Sequence, residues 1–188
     1  MPSISTMQLQ VLSNLFMEKE KELKQAVGDL QLNDVKEDSN FKKTVQQIKK
    51  QILLQPVTIG EPKITGNQQT TRQVPPNYQN LWGGAQNINV ITVEFPCAGS
   101  EELFSYRTGE SLTIARVYQP SYKSISVEVQ LLELNKEQAL TKAREEMTTT
   151  FELIKQNNPV IERWSAQMEP QVEAALEKKR KELFDFYS

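Results

Sequence analysis

The stretch Ser124-Ile125-Ser126-Val127-Glu128-Val129-Gln130-Leu131 alternates branched apolar side chains with polar ones, residue by residue. Successive side chains of an extended strand point to opposite faces. The pattern therefore predicts a strand, running on to Leu134, with Ile125, Val127, Val129 and Leu131 buried and the intervening side chains wet. A sheet with one apolar face has to bury it against another layer, and the amphipathic segments before and after it are the available cover.

Upstream, Asn87 to Phe95 is rich in branched residues and stops at Pro96, which lacks the N–H a central ladder needs. Leu103–Arg107 and Leu112–Tyr118 read as two further short strands. The turn signals Ala98-Gly99-Ser100, Thr108-Gly109-Glu110 and Gln119-Pro120-Ser121 are short enough to join these strands as an antiparallel meander. Residues 56–87 hold Pro56, Pro62, Pro75 and Pro76, four glycines and the polar run Asn67 to Thr71, a composition of extended fragments and loop. Val57–Ile59 and Lys63–Thr65 are candidate edge strands within it. Tyr78 and Trp82 stand beside the Gly83-Gly84 pair, where they either anchor a loop or form a lip over a ligand.

The flanking segments have helical periodicity. From Met7, Leu9, Leu12, Leu15, Phe16, Leu23, Val27 and Leu30 recur among lysines and glutamates, which predicts one amphipathic helix ending near Gly28. Ser39 is a candidate cap for a second helix carrying Phe41, Val45, Ile48 and Ile52, closed by Pro56. After the sheet, Asn135 with Gln138 forms a capping-box signature ahead of Leu140, Ala143, Met147, Phe151 and Ile154. Asn157-Asn158-Pro159 reads as a stop and restart, giving two antiparallel helices. The second bears Ile161, Trp164, Met168, Val172, Leu176, Leu183 and Phe186, with a kink or break at Pro170. The expected whole is one α+β domain over 1–188: helical to 55, extended or loop over 56–87, antiparallel sheet over 88–134, and helical from 135.

The chain has 188 residues, 38% hydrophobic and 24% charged, with 22 basic against 24 acidic side chains. No apolar run long enough to cross a bilayer occurs. Met1 to Thr6 lead into an amphipathic pattern and not into a secretory core, so a cytoplasmic protein is expected. One cysteine, Cys97, excludes an intrachain disulfide and multi-cysteine zinc sites. Histidine is absent, which removes His-based triads and His-ligated metals from this polypeptide. The pairs Glu101/Glu102 and Glu145/Glu146 and the series Glu18, Glu20 and Glu22 read as solvated faces, and no phosphate-cradling glycine loop is present. A non-enzyme without metal or cofactor is expected.

Two binding surfaces remain. The stripes Phe41/Val45/Ile48/Ile52 and Ile161/Trp164/Met168/Val172 are more apolar than a thin two-layer domain needs, which predicts self-association or docking of a protein partner through them. The alternative is a nucleic-acid or nucleotide-ligand sensor. It would use Lys42, Lys43, Lys49 and Lys50 on the second helix and the run Lys178, Lys179, Arg180 and Lys181, against a net charge of −2. The aromatic end Phe184, Phe186 and Tyr187 predicts docking on the helical layer, contact with another subunit, or a longer native chain.

The order Asn157-Asn158-Pro159-Val160-Ile161-Glu162-Arg163-Trp164, then Met168, Val172 to Leu176 and Lys178-Lys179-Arg180-Lys181-Glu182-Leu183 resembles a helical segment of bacterial multidomain antiphage-defence proteins. In those, a helical pair ending in a basic turn precedes a nuclease-like or TIR-like effector domain. The resemblance implies a regulatory or assembly module whose effector lies elsewhere.

Overall fold

The computed structural model describes residues 4–74, 84–108 and 114–187. In chain order the elements are β1 (Ile4–Gln8), β2 (Gln10–Val11), α1 (Leu12–Gly28), α2 (Leu32–Val35), α3 (Asp38–Ile52), β3 (Thr58–Ile59), β4 (Lys63–Val74) and β5 (Gly84–Ala98). A 3-10 turn over Glu101–Ser105 follows. Then come β6 (Tyr106–Arg107), β7 (Ile114–Tyr118), β8 (Ser124–Leu131), α4 (Lys136–Glu146) and α5 (Thr148–Tyr187). The protein is α+β. The chain divides into two compact units where one domain was expected. Unit one comprises Met1–Gln8, Val57–Phe104 and Thr113–Ile154, and unit two comprises Leu9–Pro56, Ser105–Leu112 and Lys155–Ser188.

Unit one is organised on β5, which pairs antiparallel with β3 and β4 and also with β8. The register sets Phe95 opposite Ile125, Val93 opposite Val127 and Ile91 opposite Val129. All six are buried, so the period-two pattern of β8 and that of β5 share one apolar face. Ala139, Ala143 and Met147 are buried along α4, which packs across the sheet, and Phe151 meets Phe95 edge to face at 6.0 Å. Asn135 caps α4 as its sequence predicts: its side-chain oxygen accepts from the Gln138 amide at 3.0 Å. The same unit holds the antiparallel β1–β7 pair, and the Tyr118 amide donates to Thr150 Oγ1 at 3.3 Å.

Several expectations are corrected. The strands do not form a meander, because β8 returns to the centre strand β5 while β6 and β7 pair elsewhere. The polar run Asn67 to Thr71 is strand and not loop, held opposite Ile91 to Asn87 in one long hairpin. Pro96 does not end β5: its carbonyl accepts from Gly60 N–H at 2.7 Å, and the next amide, that of Cys97, donates to Lys123 at 2.8 Å. A proline removes one donor and leaves its neighbours free to pair. The expected strand Leu103–Arg107 is mostly the 3-10 turn, and β8 ends at Leu131, short of Leu134.

Unit two is helical, with a short parallel pairing of β2 and β6 at Gln10–Tyr106 and Val11–Arg107. This pairing and β1 take the residues expected to open the first helix, which starts at Leu12 and not at Met7. A capped turn, α2, closed by Gln31 and Asp34, stands between the two helices, and α3 starts at Asp38 behind Glu37, so Ser39 is inside the helix and not its cap. The break expected at Asn157-Asn158-Pro159 falls instead at Met147, and α5 continues through both Pro159 and Pro170. Two antiparallel helices are therefore absent from this stretch. Asn157 is buried and serves a tertiary contact, its Nδ2 donating to the Tyr106 carbonyl at 2.8 Å, where a cap had been expected.

Two outcomes follow from this packing. Phe95→Ala empties the centre of unit one and lowers its unfolding free energy in urea by about 3–5 kcal/mol. Pro170→Ala, on an exposed position inside α5, restores one helical donor and raises stability by up to about 3 kcal/mol on the same measurement.

Candidate functional site

The two apolar stripes expected to face another subunit face each other. Phe41, Ile48 and Ile52 of α3 and Met168, Val172 and Leu176 of α5 form one buried cluster with Leu23, Leu30 and Val35. Val45 and Trp164 pack on its margin, and Ile161 is fully buried. Trp164 stacks on Phe16 at 4.7 Å, with the ring planes 6° apart. The stripes are thus the core of unit two and not its contact surface. Partners within one chain meet at high effective concentration, so intrachain burial takes the apolar faces first.

Over this core, α3 and α5 leave a groove of about 580 Å³ whose walls include Asp38, Lys42, Lys49, Glu173, Glu177 and Arg180. It gathers three of the eight basic residues of the nucleic-acid alternative, and two of the three are engaged. Lys49 Nζ donates to Glu169 at 2.8 Å and also to Glu173, while the Arg180 guanidinium donates to Asp38. Arg180 also lies over the Phe41 ring, 4.5 Å from its centroid, and 5.7 Å from that of Phe184. Lys178 approaches Glu182 at 3.9 Å. Lys43, Lys50 and Lys181 are exposed outside the groove, and Lys179 is half-buried. Carboxylates therefore accompany the basic runs, and the attraction this face offers a polyanion is reduced.

These pairs set the local titration. The hydrogen bond from Arg180 holds the Asp38 carboxyl below its ordinary 3.8, and the charges of Arg180 and Lys42 act the same way. Hydrogen bonds to Glu169 and Glu173 raise the Lys49 ammonium above its ordinary 10.5. Burial, with the Glu101 charge, pushes the Cys97 thiol up and away from the thiolate a nucleophile needs.

Past the groove the last turn of α5 is exposed. Phe186 is 81% exposed and Tyr187 61%, their rings edge to face at 5.0 Å, and Phe184 is exposed beside Arg180. In unit one a second cleft of about 410 Å³ lies between Glu128, Lys142, Glu145 and Glu146. Tyr118 Oη donates to Glu146 there at 3.3 Å. Among the described residues no three metal-ligating side chains come together, and no helix is long and apolar enough to cross a membrane. Tyr78 and Trp82, the expected ligand lip, lie outside the described residues. No protein-family model, curated protein or solved structure matches this chain.

The ion pairs give opposite pH limbs. A carboxylate held below its ordinary pKa stabilises the fold fully above 3.8, and that contribution is lost as pH falls through the lower folded value. An ammonium held above its ordinary pKa stabilises fully below 10.5, and the contribution is lost as pH rises through the higher folded value. Urea midpoints measured across pH will fall less steeply at the acid end in Asp38→Asn, and less steeply at the alkaline end in Lys49→Met, than in the wild type.

Proposed function

We propose that the protein is a non-catalytic interaction module that assembles with further copies of itself, and that the exposed end of α5 is its contact. One observation carries this: Phe186 and Tyr187 stand in solvent at the end of a helix whose Ile161, Met168, Val172 and Leu176 are buried. Aromatic side chains bring large contact area with few rotatable bonds, and tyrosine and arginine dominate the energetic centres of protein interfaces. The turns before this aromatic end carry both signs of charge, Lys178 and Lys181 beside Glu182 and Asp185.

The chemistry within reach favours binding over catalysis. The chain has no histidine, its one thiol is buried, and in the groove between α3 and α5 Lys49 and Arg180 are already paired with carboxylates. The resemblance of residues 157–183 to antiphage-defence segments makes a cytoplasmic bacterial defence assembly the setting, with the effector elsewhere.

Light scattering on material eluting from size exclusion, from about 1 μM to about 500 μM, tests the reading over the affinity range of modest interfaces. The expected result is a mass that rises with concentration, and a smaller species for Phe186→Ser/Tyr187→Ser at every concentration. Both positions are exposed, so the variant keeps its fold. A wild-type mass of one subunit throughout, or an identical series for the variant, overturns it.

A further inference from the structure

The hairpin of β4 and β5 runs past the rest of its sheet. β8 covers β5 only over Asn89–Pro96, whereas β4 pairs with β5 all the way to Val74–Gly84. Among the described residues no strand pairs with the other side of β4. From Asn67 to Gln73 every residue of β4 is exposed, while Ile88, opposite Thr70 on β5, is buried, so what lies open is β4 itself and its outer edge.

An open edge presents a row of backbone donors and acceptors, and folded proteins ordinarily blunt it with charge, proline or a bulge. β4 has its irregularity early, between Ile64 and Gly66, and from Gly66 to Val74 the ladder is regular. Gly-Asn-Gln-Gln-Thr-Thr, residues 66–71, contains no charge and no proline. Thr70 and Thr71 favour extended backbone, and Thr71 Oγ1 already donates across the hairpin to Asn87 Oδ1 at 3.1 Å. β8, at the opposite edge, carries Glu128 in its middle, so a two-fold pairing there brings like charges together.

We infer that β4 is a self-pairing edge: the segment Gly66–Arg72 adds in antiparallel fashion to the same segment of a second copy, joining two sheets into one. The occupant follows from the edge itself. Peptides that add to a sheet edge gain specificity from side-chain pockets along it, and neither the groove of unit two nor the cleft of unit one is lined by a β4 residue. What β4 offers is its own backbone and neutral amide and hydroxyl side chains, which pair well with their own kind. With Gln69 on the two-fold axis, Gln68 meets Thr70, Asn67 meets Thr71 and Gly66 meets Arg72, and no like charges are opposed. Seven residues a side make a small interface, so the pairing belongs at micromolar concentrations and above.

The inference deepens the assembly reading and rests on it for self-association, but it uses a different surface, and its test separates the two. The background is Phe186→Ser/Tyr187→Ser, in which the helix-end contact is removed. In that protein, hydrogen exchange at about 5 μM and about 500 μM is compared by mass spectrometry, with sedimentation at the same concentrations. The expected result is a dimer at the higher concentration, with slowed exchange across 66–72. Gln69→Lys and Gln69→Glu each weaken that dimer about fivefold, because like charges meet on the axis, and mixing the two variants restores it. Unchanged exchange over 66–72 at both concentrations, or a dimer indifferent to charge at position 69, overturns the pairing. If the helix-end reading alone is wrong, the wild type matches the double variant and both stop at this dimer. If β4 pairing alone is wrong, the wild type still associates and residues 66–72 exchange at one rate throughout.

Discussion

Burial of two stripes against each other, Phe41, Ile48 and Ile52 from α3 with Met168, Val172 and Leu176 from α5, decides what unit two has left to present. The two stripes are more than a hundred residues apart in sequence, and each alone lies on an amphipathic helix in search of cover. Once they meet, the most apolar surface of this part of the chain is spent on folding. The ion pairs Lys49 with Glu169 and Glu173, and Arg180 with Asp38, then line the seam and fix which faces lie together. Exposed pairs of this kind add little stability, and their effect is on register. Large apolar side chains still exposed in unit two include Met17 of α1 and those at the end of α5, where Leu183 packs on the cluster and Phe186 and Tyr187 do not.

Unit one follows a different constraint. Every strand of its sheet other than β5 is bonded to β5, so the register of that one strand sets the apolar face that α4 covers. Where β8 stops, the hairpin continues as two strands, of which β5 still buries Ile88 opposite Thr70. Beyond that pair Gly84–Asn87 and Thr71–Gln73 are exposed, and the ribbon rests on backbone pairing and cross-strand contacts such as Thr71 with Asn87. A bare edge of this kind calls for another strand, and the neutral side chains along it make an identical strand a good match.

The legibility of the sequence varied with the distance over which each decision is made. The alternation at Ser124–Leu131 and the Asn135 cap are local, and both are present as expected. Asn67–Thr71 misled because glutamine and asparagine are poor strand formers by composition, and only the partner strand, Asn87 to Ile91, makes the extended state pay. Pro159 and Pro170 misled in the opposite sense. Each costs a helical hydrogen bond, and the buried Ile161, Met168, Val172 and Leu176 around them hold α5 together across both.

From its residues alone the chain determined an α+β composition, the apolar faces of its strands and helices, and the exclusion of histidine and disulfide chemistry. These depend on side-chain identity and on periods of two and of 3.6 residues, which are written locally. Tertiary structure alone decided which apolar stripe covers which, that the chain divides into two units, and that Lys49 of α3 and Arg180 of α5 meet carboxylates. An amphipathic face records that it must be buried and carries no address for its partner. That choice is made by shape, charge and chain connectivity acting together over the whole sequence.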